Sequence, residues 1–323
     1  MTPTATNPSK SRAFWALLFG VLITLALLTL SLFIGVYDLS SEGGREIFFI
    51  TRLPRTISLM LAGSALAMSG LVMQLMTQNR FVEPTTTGTI EWAGLGLLLT
   101  MVFWPTPSLV ERMIGAVLFS FLGTLVFFLF LRRVTLKSSL IVPIIGIMLG
   151  AVVSSFTTFL ALQFNLLQNL GIWFTGSFTS AIRGQYELIW ILLLAAITVF
   201  IVADQFTVAG LGKEVATGIG LNYQRVVLLG VGIVAVVTGT TAVVIGALPF
   251  LGLIVPNVVS MFRGDNLRSN LPWVCMVGIW VITVCDIIGR TIIMPFEVPV
   301  SVILGIVGAV VFVIILVRRR RVS

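Results

Sequence analysis

Three groups of ionisable residues stand out in an otherwise apolar chain. Arg52-Leu-Pro-Arg55 sets two guanidinium groups three residues apart, on one face of a starting helix whose first turn suits Pro54. Guanidinium forks pair well with carboxylates, so a partner bearing acidic groups accounts for the pair. Interfacial snorkelling of two long side chains accounts for it equally. Asp286 and Arg290 lie four residues apart and read as a local ion pair. Glu91, early in an apolar run, either lines a water-filled cavity or sits at the inner interface. None of these sets is catalytic. Histidine is absent from the chain, which removes the commonest transition-metal ligand and the usual proton shuttle. No Walker loop, metal-binding helix motif or serine–histidine pairing occurs, and Gly210-Leu-Gly212, although followed by a lysine, lacks the strand and spacing of a phosphate loop. The sequence therefore predicts no catalytic residue, no metal, no cofactor and no ATPase site.

The elements that position these residues are membrane helices. The chain is 58% hydrophobic and 10% charged, with a mean hydropathy of +1.11. Apolar runs of roughly 17 to 25 residues recur, each long enough to cross a hydrocarbon core of about 30 Å. They predict ten spans near 14–36, 56–76, 88–104, 113–131, 140–162, 187–203, 226–248, 249–263, 271–289 and 297–317. The third reads as broken by Gly94 and Gly96, and the eighth is short. No run alternates as an outer-membrane barrel strand does, so the expected fold is an all-α integral membrane protein. Placing the N-terminus in the cytoplasm puts 14 of the 20 lysines and arginines inside, including Lys213 and Arg318 to Arg321. Arg45, Arg52, Arg55, Arg112, Arg183 and Arg290 are left outside. An even span count then returns the C-terminus to the cytoplasm. The net charge of +8 reads as topology and contact with anionic lipid, without the groove of a nucleic-acid binder. The first run is too long for a signal-peptide core and reads as a retained helix. Cys275 and Cys285, ten residues apart on one helix and so about 15 Å distant, cannot form a disulfide.

The expected organisation is a cytoplasmic tail at 1–12, a single membrane domain at 13–317 and a basic cytoplasmic tail at 318–323. Small residues, as in Gly63 to Gly70 and Gly146 to Gly150, let its helices approach closely. Two polar outer loops run from Tyr37 to Arg55 and from Gln163 to Glu187, the second with Trp173 and Phe174 as interfacial aromatics. On the inner side, Asp204 to Arg225 is too long for a turn and too short for a domain. Its glycines predict a short helix, a break and a second short helix on the membrane surface. A membrane protein without energy-converting chemistry needs such a segment as a handle for a protein that has it.

Taken in order, the motifs resemble a known family. They are Arg52-Leu-Pro-Arg55, Gly63 to Gly70 with Gln74, Asn79, Glu83-Pro84, Gly212 to Arg225, Thr238-Gly239, Gly246 to Pro256, Gly264-Asp265, Leu271-Pro272, Asp286 with Arg290, and Glu297-Val-Pro299. Over roughly Gly35 to Phe312 the chain is similar to the FecCD-type permeases, the membrane subunits of importers for iron-siderophores, haem and vitamin B12. The resemblance implies a BtuC-like, type II ABC importer permease of ten transmembrane helices. It implies a second permease subunit, identical or different, two cytoplasmic ATP-binding-cassette subunits and an extracytoplasmic siderophore-binding protein, in the bacterial cytoplasmic (inner) membrane. It assigns Arg52, Arg55 and Arg290 to docking of the binding protein. Gly212 to Leu221, including Lys213, Glu214, Ala216 and Gly220, is assigned to a coupling loop seated in the ATPase.

Where many members carry Pro-His this chain has Pro256-Asn257, and Ser301 and Val310 replace a usual glycine and proline. The Pro-Asn form with Gly264-Asp265-Asn266 resembles a branch associated with ferric catecholate or related siderophores. Ferric siderophore import is thus the expected function, with vitamin B12 or haem import, or ion-gradient-driven transport by this chain alone, as alternatives. Ser154, Ser155, Thr157, Thr158 and Thr238 are expected to line a pathway that needs weak contacts with a bulky, often anionic chelate.

Overall fold

The computed structural model describes residues 10–35, 43–133, 141–264 and 266–320. Asp38, Glu42, Lys137, Asp265, Arg321 and most of the expected N-terminal tail lie outside the described residues. The helices are α1 Lys10–Phe33, α2 Gly44–Ile47, α3 Leu53–Met76, α4 Thr89–Phe103, α5 Leu109–Leu131, α6 Ile141–Gln163 and α7 Leu167–Phe174. They continue with α8 Ile191–Ile201, α9 Ala203–Ala209, α10 Lys213–Gly218, α11 Tyr223–Val244, α12 Leu251–Arg263, α13 Leu267–Thr291 and α14 Val300–Arg320. Six helices are long and apolar enough to cross a membrane, or up to seven if the bent segment Tyr186–Ile201 with Ala203–Ala209 is one span; three apolar helices are shorter.

α3 is the axis of the bundle. In its most apolar window 78% of the residues are buried, against 17% for the first helix and 28% for α6, which lie at the periphery. Small residues set the crossings: an added Cβ on Gly63 would lie 3.0 Å from the Gly278 carbonyl oxygen of α13, and one on Gly70 only 2.1 Å from that of Gly252 in α12. Helix packing in lipid depends on such backbone contact, since lipid tails compete for every apolar side chain.

Two prolines explain where the helices depart from regularity. Pro54 lies inside a continuous helical stretch, Gly44–Met76, and does not open it as the sequence suggests. Its missing N–H frees the Ile50 carbonyl, a π-helical turn spans Phe48–Arg52, and the Arg183 backbone N–H takes the freed oxygen at 2.9 Å. The first outer loop is therefore largely helix from Gly44 onward. Pro256 in α12 likewise frees the Gly252 carbonyl, which accepts from the Gln74 side chain at 3.3 Å. In a membrane such carbonyls need a partner from the protein itself.

α4 also corrects the sequence. It runs unbroken through Gly94 and Gly96, both buried, because each serves a close approach: Phe174 lies against the first and Gly115 with Phe119 against the second. The second outer loop contains a helix of its own, α7.

Between α11 and α12 the chain turns through Gly246 to Phe250, and Phe250 adopts a left-handed conformation at φ 65. The Glu83 carboxylate, 1% exposed, accepts from the Phe250 N–H at 2.8 Å and from the Thr85 hydroxyl at 2.6 Å. A carboxylate at the start of α12 satisfies donors that a helix leaves open and complements its dipole. It ties the connection after α3 to the break before α12.

Candidate functional site

The segment from Asp204 to Arg225 has the predicted form: α9, a break at Gly210 to Gly212, and α10. Gly212 has φ 104 and ψ 161, a backbone region that only glycine enters without strain. Gly220, at φ 85, closes α10: its N–H reaches the Thr217 carbonyl while the Leu221 N–H reaches that of Ala216. Three grips fasten the segment to the bundle. Phe206 is fully buried and packs beside Gly230 of α11, the Gln78 amide after α3 donates to the Gly210 carbonyl at 3.1 Å, and Arg268 at the start of α13 pairs with Asp204. Ala216 is buried beneath α10, while Lys213 and Glu214 are exposed.

What the sequence reading missed is an apolar stripe on this segment. Leu211, Val215 and Ile219 recur every fourth residue and are 60%, 50% and 65% exposed. The signal was present in the spacing, but in a chain this apolar three more aliphatic residues attract no notice. Leu211 precedes the Gly212 break, Val215 lies in α10 and Ile219 ends it, so the three apolar side chains flank one short helix and form an exposed patch that a partner's groove can cover.

At the opposite end of the bundle the arginines turn inward. Arg52 donates to the carbonyls of Leu32 and Phe33 at 3.1 and 3.0 Å, and Arg290 donates to those of Ser31 and Ile34 at 3.0 and 2.8 Å. Two guanidinium groups therefore hold the final carbonyls of α1, where a cation also complements the helix dipole. Asp286, fully buried, bridges Arg55 at 2.7 Å and Arg290 at 2.8 Å, and Arg55 reaches Glu297 at 2.9 Å. The expected Asp286–Arg290 pair is present, but it belongs to a larger network joining α1, α3, α13 and the segment before α14. Within the chain, carboxylates meet Arg55 and Arg290, whereas Arg52 is held by backbone carbonyls. Arg55 and Asp286 are 231 residues apart, so local spacing gave no sign of the contact.

The hydroxyl residues divide. Ser154, Ser155 and Thr158 are exposed on α6, whereas Thr157 on α6 and Thr238 on α11 are buried. Ser155, Thr157 and Thr158 return their hydroxyls to carbonyls one turn back, which leaves them weak partners for anything that passes. Among the described residues no group of three or more acids and cysteines could hold a metal ion.

Comparison with known proteins places this geometry. The petrobactin import system permease protein FatD of Bacillus anthracis is 60% identical over 305 residues, covering 94% of this chain and 91% of that protein. The petrobactin import system permease protein YclN of Bacillus subtilis (strain 168) is 40% identical over 310 residues, covering 94% and 98%. Among solved structures, a metal-chelate type ABC transporter in an inward-facing conformation superimposes with a TM-score of 0.78 at 24% identity, covering 94% of this chain and 99% of that one; it shares the fold. The model of the FecCD transport family matches residues 14–318, and the chain belongs to that family.

Proposed function

We propose that this chain is the permease subunit of an ATP-driven importer that carries a ferric siderophore across the cytoplasmic membrane. In this reading the bent segment and the three shorter apolar helices span the membrane with the six long ones, for ten spans with both termini cytoplasmic; the apolar character of those helices supports it. A second permease copy or homologue, two ATPase subunits and an extracytoplasmic binding protein complete the assembly. The observation that carries this reading is the stripe Leu211, Val215 and Ile219, presented on a rigid, glycine-set segment that grips α3, α11 and α13. ATP closure of the docked subunits moves Gly212 to Leu221 as a lever, and the packed helices tilt with it.

On the outer side, the docking set remains Arg52, Arg55 and Arg290. Its support is position, at the shared outer end of α1, α3 and α13. Burial makes Arg52 and Arg290 positioning residues for that surface, while Arg55 with Glu297, which is 31% exposed, lies nearest to a visiting protein. The exposed hydroxyl face of α6 is the pathway lining this reading favours. Petrobactin, named in both curated relatives, is the first cargo to test. The test is co-expression with ATPase and binding-protein subunits in a strain lacking its own importer. Iron from ferric petrobactin enters the cells, and the ATPase subunits co-purify with the chain. Replacing Val215 and Ile219 with aspartate leaves the chain in the membrane but removes both. Co-purification and uptake at wild-type level in that variant contradict the assignment of the stripe.

A further inference from the structure

We infer that a cavity on the outer face, around Arg112, is a transit site for an anionic group of the cargo. This rests on the importer reading above. The cavity, of about 390 Å³, is lined by Leu97 of α4, Arg112 of α5, Trp173 of α7, Val243 of α11, and Gly184 and Gln185. Its side of the membrane follows from topology: α11 leaves the coupling segment at Tyr223, and Val243 lies twenty residues on, about 30 Å along the helix axis. Arg112 shares a face of α5 with the buried Ala116, Ser120 and Gly123, so it belongs to the inward side of that helix, away from the exposed Val110, Ile114 and Leu118.

The charge of the site is uncompensated. The Arg112 Nε donates to the Pro107 carbonyl at 3.2 Å, and its terminal nitrogens have no partner among the described residues. The neighbouring carboxylates are engaged elsewhere: Glu111 with the Ser108 N–H and hydroxyl, and Glu187 with the Gly184 N–H. A guanidinium whose terminal edge is free, beside an indole, an amide and aliphatic side chains, suits a planar or aromatic body bearing a carboxylate or phenolate oxygen. Ligand cavities commonly combine such apolar lining with a few polar groups, and this volume falls within their range of about 300–1,000 Å³. A siderophore chelate has that chemistry, and so in part does a phospholipid headgroup.

The test uses the complete importer in liposomes, with binding protein loaded with ferric petrobactin outside and ATP inside. In Arg112→Gln the maximal uptake rate falls about ten-fold, the size of one lost charge-assisted hydrogen bond, while the concentration of loaded binding protein giving half that rate is unchanged. Arg112→Lys recovers part of the rate. An unchanged maximal rate in Arg112→Gln overturns the inference. So does a shift in the half-saturating concentration alone, which makes Arg112 a docking residue. The loss persists in vesicles of phosphatidylcholine alone; a defect seen only when phosphatidylglycerol is added assigns the site to lipid and overturns the inference as well. Failure of the wild-type importer to take up the chelate is a separate result, and it overturns the importer reading itself.

Discussion

Replacing Asp286 with alanine is expected to destabilise the protein by about 3–5 kcal/mol, the cost of removing one partner from a buried ion pair. Asp286 is fully buried and neutralises two guanidinium groups, Arg55 and Arg290, each at hydrogen-bond distance. Without it Arg290 keeps only carbonyl and hydroxyl partners from α1, and Arg55 keeps only Glu297. Thermal unfolding of the purified chain in lipid nanodiscs measures the loss. Asp286→Asn, which retains the shape and an acceptor oxygen, falls between the two. Glu297→Gln, at a partly exposed carboxylate, costs no more than about 1 kcal/mol. An Asp286→Ala protein that unfolds within about 1 kcal/mol of wild type contradicts the role of the network as the fastening of the outer end.

The second large effect is at Gly212. If the segment couples to the ATPase as proposed, valine there lowers ATP-driven uptake about ten-fold or more, the population change that ~1–3 kcal/mol of backbone strain imposes on it. A Cβ at this position would lie 2.8 Å from the Gln78 Nε2, the atom that holds the Gly210 carbonyl. The strain therefore reaches the grip on α3 directly. Gly218→Ala in the same segment is the control: nothing lies within 4 Å of its added Cβ, and alanine favours the helix. Its uptake stays within about two-fold of wild type, since alanine there introduces no strain. Equal uptake by Gly212→Val and wild type, at equal amounts in the membrane, removes the coupling segment from the mechanism.

The two sites differed in how far they could be read in advance, and the reason is distance along the chain. The Asp204–Arg225 segment is local: glycines at 210, 212, 218 and 220 mark the breaks, and the flanking apolar runs place it outside the membrane. Asp286 and Arg290 were legible for the same reason, being one helical turn apart. Arg55 with Asp286, Glu83 with Phe250 and Gln74 with Gly252 join residues more than 160 positions apart, and no local pattern announces them. Charge misled the reading of the first outer loop. Arg45, Glu46 and Arg52 lower its hydropathy, yet the helix runs from Gly44, because Arg52 finds carbonyls at the end of α1. Glycine misled the reading of α4, where Gly94 and Gly96 serve helix contact and leave the backbone unbroken.

Buried carboxylates bear on the energy source. Asp286 is held by two arginines, and Glu83 caps α12 through a backbone N–H. Glu91 has one buried carboxylate oxygen without a hydrogen-bond partner, which makes it the acid that an ion-coupled mechanism would first involve. Transport in liposomes separates the two energy sources. The chain is reconstituted with its ATPase and binding-protein partners, and accumulation of iron from ferric petrobactin is followed with ATP inside and no ion gradient, then with a proton or sodium gradient and no ATP. An importer driven through the coupling segment accumulates iron only with ATP, and only when the ATPase subunits are present. Accumulation that follows the gradient, with this chain alone and no ATP, contradicts that assignment.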